Sequence, residues 1–210
     1  LGRNLPMERW PFGITAPARL RSVPADVRID GAAVVTSVRD RKLTLNLELE
    51  SDAARSVFAG AEILTPEGKT AFRIPDRELS LKSGKNEAAL SSTWRNPRLW
   101  ELEDGYCYTA VVTLKTKDGR LLDRLEPFRF GFREIGTDGN RVLLNGHPVR
   151  FRMHSVGNDS LDRMLGVNTI EVQPNATMFY CDWFTWSYYT HEWLDGLDDR
   201  GIFCLLPVPS

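Results

Sequence analysis

The stretch at residues 128–152, FRFGFREIGTDGNRVLLNGHPVRFR, constrains the fold of this chain more than any other segment. At its start, phenylalanine alternates with arginine and glycine, which is the period of a half-buried β-strand. Valine and leucine then lead into Asn145-Gly146. This dipeptide predicts a tight hairpin, because both central positions of a type I′ turn need a positive φ. The chain returns as an extended run at residues 148–153, so we predict a strand, a hairpin and a second strand.

Before this stretch, short apolar segments alternate with polar residues and turn signals. Leu43, Leu45, Leu47 and Leu49 alternate with polar side chains, which is typical of a strand with one buried face. About seven such strands predict an immunoglobulin-like β-sandwich over residues 27–134. They are expected near residues 27, 57–64, 70–74, 78–81, 87–90, 106–114 and 121–132, in addition to the leucine strand.

After this stretch, predicted strands alternate with predicted helices. The expected strands lie at residues 150–154, 167–172 and 202–208. Between them, we predict a short helix that ends before Gly166 and a second helix at residues 190–200. Strand, helix, strand, helix and strand form the beginning of a parallel α/β layer. The sequence therefore predicts a mixed, multidomain fold, with a boundary between residues 134 and 135.

Composition excludes several classes of partner. The formal net charge is −1, and the basic residues are scattered, which argues against an electrostatic nucleic-acid or membrane partner. No apolar run approaches the roughly 20 residues of a membrane-spanning helix. The three cysteines are widely spaced and form no CxxC motif, so we expect no metal site and at least one free thiol.

Two motifs carry a family resemblance. Gly131-Phe132-Arg133 is followed by LNGHPVRFR at residues 144–152, and WRNPRLWEL at residues 94–102 precedes the predicted strand at 106–114. In this order, the two motifs are similar to those of glycoside hydrolase family 2, the β-galactosidase, β-glucuronidase and β-mannosidase family. The resemblance implies an immunoglobulin-like sandwich followed by the first βα units of a (β/α)8 TIM barrel.

The resemblance also implies a function. Family members are retaining β-glycosidases that hydrolyse terminal β-linked sugars without a cofactor, so the expected partner is a carbohydrate. The resemblance favours a periplasmic or extracellular location. Retaining enzymes need two carboxylates about 5–5.5 Å apart, one as acid/base and one as nucleophile. The family carries them in an Asn-Glu pair after the fourth barrel strand and in a glutamate after the seventh, whereas three barrel strands are predicted here.

We therefore expect no catalytic residue in this sequence and no hydrolysis by this segment alone. An open set of three strands exposes its edges, so the remainder of the barrel or another segment is expected to cover them. Residues 1–26 contain four prolines and no sustained periodicity. They are interpreted as a linker or, by the resemblance, as the remnant of a preceding sugar-binding β-sandwich.

Two candidate substrate-binding residues follow predicted barrel strands. Active sites of such barrels lie at the C-terminal ends of the strands, where His154 and Glu171 are expected. His154 either binds a sugar hydroxyl group or is satisfied by backbone groups at the strand end. Burying the Glu171 carboxylate without a partner is costly, so it serves the site or pairs with Arg152 or with a further segment.

A long loop at residues 174–189 supplies the other candidates. It is rich in aromatic residues, and loops of this length are uncommon unless they are functional. Aromatic faces pack on the C–H faces of sugars, and polar side chains accept hydroxyl hydrogen bonds. We therefore select Asn175, Asp182, Trp183 and Trp186 as candidate sugar contacts. The alternative is a loop whose aromatic residues fill a small core of its own.

Departures from the family pattern leave other functions open. Arg152-Met153 stands where the family has arginine and glycine, and Glu171 replaces the arginine that ends the family's GxNxIR segment. These changes predict a divergent branch. One alternative is a non-catalytic carbohydrate-binding or scaffold protein of the same architecture. A second is a plain immunoglobulin-like interaction module with a disordered tail. Trp94 and Trp100 are predicted to anchor a core or an interface rather than a sugar.

Overall fold

The structure is a computed structural model that describes residues 22–154, 166–171 and 191–205. The described strands are β1 Val27–Ser37, β2 Lys42–Ser51, β3 Arg55–Leu64, β4 Thr70–Leu81, β5 Gly84–Thr93, β6 Cys107–Lys115, β7 Leu121–Arg124, β8 Phe128–Gly131, β9 Ile135–Asp138, β10 Arg141–Leu144, β11 His147–Val149, β12 Met153–His154, β13 Thr169–Glu171 and β14 Phe203–Leu205. The described helix, α1, is His191–Asp199. Within these ranges, no helix has the length and apolar character needed to cross a membrane.

Strands β1 to β8 form a β-sandwich, as predicted for this part of the chain. One antiparallel sheet has the order β1-β2-β5, and the other has β4-β3-β6, with β7 and β8 both pairing with β6. Apolar side chains from both sheets fill a single core between them. In constant-type immunoglobulin domains the fourth strand joins the sheet of the first, second and fifth. Here the fourth strand pairs with the third instead.

The predicted leucine strand forms the centre of this core. Leu43, Leu45, Leu47 and Leu49 of β2 are all fully buried, while the residues between them lie on the outer face. This confirms the strand predicted from the alternation. Because β2 lies between β1 and β5, both of its edges are paired, and its inner face packs against the other sheet in the shared core.

Trp94 is a core anchor, as predicted. Its indole stacks on Phe72 with ring centroids 4.7 Å apart and meets the edge of Phe132 at 5.6 Å. Tyr108 lies 4.8 Å away on another side, and only 7% of the Trp94 surface is exposed. A ring enclosed in this way cannot act as a platform for a sugar.

Strand β4 differs from the prediction of two strands at residues 70–74 and 78–81. It runs through Pro75 because β4 is an edge strand, where a missing N–H breaks no ladder. The pairing with β3 shifts register between Ala59 and Ala61, so a β-bulge absorbs the irregularity. Gly60 lies at this bulge, and a Cβ there would come within 2.1 Å of the Asp76 carboxylate.

The single strand predicted at residues 121–132 is two strands. Strand β7 pairs with one end of β6, β8 pairs with the other end, and residues 125–127 between them include Pro127. The buried Asp123 carboxylate of β7 accepts a hydrogen bond from the Ile29 N–H at 2.8 Å. This bond joins β1 of the first sheet to the edge of the second.

The predicted hairpin is confirmed, with an additional strand beside it. Strands β10 and β11 pair across a two-residue turn in which Asn145 has φ 53° and Gly146 has φ 84°. Strand β9 pairs with the other side of β10 and was not predicted. Gly139, at φ 58°, lies in the turn that joins β9 to β10.

Strands β12, β13 and β14 form a three-stranded parallel sheet in that order. They lie within the three strand ranges predicted after the hairpin, although each begins later than predicted. Helix α1 confirms the helix predicted at residues 190–200, and Gly201 follows it with φ 65°, the left-handed conformation of a helix C-cap. The helix predicted before Gly166 lies outside the described residues.

A second apolar cluster joins the sandwich to the parallel sheet. It contains Trp100, Cys107, Leu144 and Phe203, which come from the segment before β6 and from β6, β10 and β14. Trp100 has no exposed surface, and its ring centroid lies 5.0 Å from that of Phe203. Trp100 is thus an interface anchor, as predicted.

Candidate active site

The C-terminal ends of the three parallel strands form one edge of the sheet, the carboxyl edge, and two predicted site residues lie there. His154 at the end of β12 is level with Ile170 of β13, which is level with Cys204 of β14. Glu171 is the next residue of β13 and is level with Leu205. The backbone positions of His154 and Glu171 are therefore on adjacent strands, one residue apart in register. Their roles in binding stay predictions.

The four other predicted site residues lie outside the described part of the chain. They are Asn175, Asp182, Trp183 and Trp186 of the aromatic loop. In the chain, this predicted loop comes after β13 and before α1.

Asn168 stabilises the backbone just before this carboxyl edge. It was not among the predicted site residues. Its buried carboxamide accepts a hydrogen bond from the Arg152 N–H at 2.8 Å and donates to the Arg150 carbonyl at 2.9 Å. The Thr169 hydroxyl also donates to the carboxamide oxygen, at 3.0 Å. The side chain thereby substitutes for a strand partner just before β12.

The backbone of Asn168 extends the same connection to the third strand. Its N–H donates to the Arg152 carbonyl at 3.1 Å, and its carbonyl accepts from the Phe203 N–H at 2.9 Å. One residue therefore links all three parallel strands two positions before the edge. The asparagine within the GVNTI segment was a signal for this role, but a sequence motif does not reveal which backbone groups it binds.

Arg152, considered as an ion-pair partner for Glu171, has another described contact. Its Nε–H donates to the carbonyl of Gly166, which has φ 63°. This hydrogen bond closes the connection that returns to β13. The guanidinium thus contributes to the local fold of the segment before β13.

Two thiols lie near the joint, which is the contact between the sandwich and the parallel sheet around Trp100 and Phe203, and burial keeps both thiols neutral. Burial raises the pKa of the Cys107 thiol to about 11, and the charge of Asp198 acts in the same direction. Burial also raises the pKa of the Cys204 thiol. Both are free cysteines, and a protonated thiol is neither a good nucleophile nor a metal ligand. Among the described residues, no cluster of three or more His, Cys, Asp or Glu side chains suits a metal ion.

No glutamate in the described residues is assigned to catalysis. The sequence contains one Asn-Glu pair, Asn86-Glu87, and it lies in β5 of the sandwich. Glu87 is level with Glu48 on the neighbouring strand, and both are exposed on the outer face of the sheet. This position is separated from the parallel sheet by the sandwich fold.

The fold and the sequence together establish the family. The model of the glycosyl hydrolases family 2 matches residues 27–133, which include the whole sandwich up to Arg133. The chain belongs to this family. The expected resemblance is therefore confirmed.

Relatives in the family are glycosidases. A β-glucuronidase from Paenibacillus borealis is 26% identical over 182 residues, covering 82% of this chain and 29% of the relative. A β-galactosidase from Halalkalibacterium halodurans is 28% identical over 110 residues, covering 52% of this chain and 10% of the relative. The chain thus spans less than a third of either relative.

Solved structures of the family share the fold. A family 2 member from Bacteroides cellulosilyticus superposes with a TM-score of 0.67 at 18% identity, covering 85% of this chain and 26% of that chain. A β-glucuronidase from Bacteroides uniformis gives a TM-score of 0.63 at 20% identity, covering 86% and 24%. A β-glucuronidase from Ruminococcus gnavus, solved with D-glucuronic acid, gives 0.58 at 19% identity, covering 89% and 31%.

Proposed function

We propose that this chain is part of a retaining β-glycosidase that hydrolyses a terminal β-linked sugar. The observation that carries the proposal is the combination of a family 2 sandwich with a parallel sheet directly after it. In this reading, residues 27–134 brace the catalytic domain, and residues 135–210 contribute the first strands of a (β/α)8 barrel. Residues 1–26 are a linker or the remnant of a preceding domain.

The proposed sugar site lies at the carboxyl edge of the parallel sheet. His154 and Glu171 are at this edge, and the predicted loop carrying Asn175, Trp183 and Trp186 follows β13 in the sequence. Asp182 of the same loop completes the proposed set. These residues are proposed to bind and orient the sugar, because polar groups at strand ends and aromatic faces suit its hydroxyl and C–H surfaces.

The bond-breaking step is proposed to use two carboxylates about 5–5.5 Å apart, one as acid/base and one as nucleophile. Neither is assigned to a residue of this sequence, so we predict that the 210-residue segment alone does not hydrolyse glycosides. The relatives suggest the first substrates to test. They are an aryl β-glucuronide and an aryl β-galactoside.

The test uses the natural protein that carries this sequence, after its intact mass has been measured. We expect release of the aryl group from one of the two substrates, with retention of the β-anomer seen by NMR. His154→Ala and Glu171→Gln should each lower kcat/KM about ten-fold or more, since a hydrogen bond to a charged or polar substrate group is lost. Lys117→Ala, in an exposed turn of the sandwich, is the control.

Two outcomes would overturn the proposal. Release of the α-anomer would exclude double displacement. Sugar binding without turnover of any aryl β-glycoside would favour the non-catalytic carbohydrate-binding alternative.

A further inference from the structure

The last turn of helix α1 carries charges of the wrong sign for its position. Asp198 and Asp199 lie there, Asp195 lies just before it, and the last turn contains no basic residue. The C-terminus of a helix bears a partial negative charge, so aspartates near it are unfavourable. Arg200 follows the helix and donates its Nε–H to the Gly196 carbonyl at 2.8 Å. One arginine leaves most of this negative charge uncompensated within the helix segment itself.

Two arginines of the sandwich supply the missing positive charge. Arg129 of β8 pairs with Asp199, and its Nη1 lies 3.6 Å from the Asp195 carboxylate. Arg133, just after β8, donates from Nη1 to the Asp198 carboxylate at 3.0 Å. All three of these aspartates of helix α1 are thereby paired with arginines from outside the helix.

The planar face of Arg133 also packs over two aromatic rings beside the helix. Its guanidinium carbon lies 4.3 Å from the centroid of the Trp100 ring and 5.8 Å from that of Phe203. A guanidinium over an indole gains a cation–π attraction while its edges remain free to bind carboxylates. Arg133 therefore contacts the sandwich, strand β14 and helix α1 at once.

The backbones at this joint approach closely because glycine is present. A Cβ at Gly105 would lie 1.7 Å from the Asp198 carbonyl oxygen, and one at Gly131 would lie 2.8 Å from the Trp100 side chain. Any larger residue at Gly105 would displace the end of the helix. The joint is thus held by close packing at these glycines as well as by ion pairs.

We propose that Arg129 and Arg133 form an electrostatic clamp that stabilises helix α1, and that this clamp rather than the helix sequence keeps the helix folded. A nine-residue helix is marginal in water without tertiary support, and here its terminal charges oppose it further. The sandwich is then the part of the chain on which the α/β segment folds. Salt should loosen the clamp, because its pairs are partly exposed.

The test measures hydrogen exchange of the 210-residue chain by mass spectrometry. Raising NaCl from about 0.01 M to about 1 M shortens the screening length from about 30 Å to about 3 Å. We expect the amides of α1 to exchange about three- to ten-fold faster, while those of β2 are unchanged. Arg133→Met, which keeps an apolar side chain over Trp100, should produce a similar increase at low salt.

Matched variants separate charge from packing. Arg133→Lys keeps the charge but not the planar fork, so its α1 exchange rate at low salt should lie between those of the unaltered chain and Arg133→Met. Arg120→Met, in an exposed turn, should leave the α1 exchange rate unchanged. Gly105→Ala should accelerate exchange in α1 at every salt concentration, because it acts through backbone contact. Gly136→Ala, with open space around its Cβ, is the control.

The clamp is refuted if α1 exchange in the unaltered chain does not respond to salt. Equal acceleration of α1 and β2 by salt would also refute it, because the effect would then be global. Should Arg133→Met unfold the sandwich, the salt titration of the unaltered chain decides.

Discussion

The indole N–H of Trp100 donates a hydrogen bond to the main-chain carbonyl oxygen of Asp198, 2.8 Å away, across 98 positions of sequence. The carbonyl lies near the end of helix α1, where backbone oxygens lack partners within the helix. Trp100 therefore caps the helix from the side while filling the space between the sandwich and strand β14. The joint depends on both its ring and its nitrogen.

Trp100 offers a direct test of the interface. Trp100→Ala should lower the free energy of unfolding by about 3–5 kcal/mol, since a fully buried ring is lost. Trp100→Phe keeps most of the apolar surface and removes only the indole donor. Because the Asp198 carbonyl still accepts from the Gly201 N–H at 3.2 Å, we expect a cost of about 0.5–1.5 kcal/mol. Urea denaturation followed by circular dichroism measures both. Unchanged stability of Trp100→Phe would show that the hydrogen bond is unimportant.

Asn145 is expected to have two separable roles. Its backbone, at φ 53°, forms the turn. Its side chain accepts a hydrogen bond from the Glu134 N–H at 2.9 Å and donates one to the Trp100 carbonyl at 2.9 Å. Asn145→Gly keeps the turn and loses the hydrogen bonds, and should cost about 1–3 kcal/mol. Asn145→Ala should cost more, because alanine is strained at positive φ.

Thermal unfolding gives the comparison between these variants. Asn140→Ala, in the exposed turn between β9 and β10, serves as the control and should change stability little. If Asn145→Gly proves as stable as the unaltered chain, the carboxamide does not hold the joint.

Asn168 should stabilise the parallel sheet specifically. Asn168→Ala leaves the Arg152 N–H and the Arg150 carbonyl without their partners, so we expect a loss of about 1–3 kcal/mol in the parallel sheet. Hydrogen exchange at β12 and β13 reports this loss locally. Asn46→Ala, at an exposed position of β2, is the control. Exchange that stays slow in Asn168→Ala would contradict the assignment.

Cys107 predicts a loss of stability at high pH. Burial raises the pKa of its thiol from the ordinary 9.0 to about 11, so the folded state keeps the proton longer than the unfolded state. The stabilisation is complete below pH 9 and declines as the pH rises towards 11. Chemical denaturation across this range should show a steeper decline in the unaltered chain than in Cys107→Ala. Parallel curves would contradict the shifted pKa.

Much of the sandwich was predictable because its signals are local. Alternation along Leu43 to Leu49 specifies which face of β2 is buried, and Asn145-Gly146 specifies a two-residue turn. The order of β12, β13, α1 and β14 after the hairpin likewise follows from short apolar segments and the glycines beside them.

The missed features depend on partners distant in sequence. Pro75 is tolerated because β4 has a partner on one side only, and no local pattern reveals an edge. Strand β9 is short and polar, and β10 beside it decides its conformation. The Arg133–Asp198 pair spans 65 positions, so neither residue alone indicates the contact.

The candidate site was predictable as a location rather than as a geometry. Strand order placed His154 and Glu171 at one sheet edge, and their backbone positions agree with it. Asn168 was overlooked because its effect lies in which backbone groups its amide reaches. That depends on how three strands assemble.

The position of Asn145 has a consequence for recombination between family members. A chimera spliced at residue 134, where the sequence pattern changes, would take Trp100 and Glu134 from one parent and Asn145 from the other. Asn145 binds both of those residues through its side chain. A crossover placed after the β10–β11 turn would inherit the three residues together, and should give interchangeable sandwiches where the earlier crossover does not.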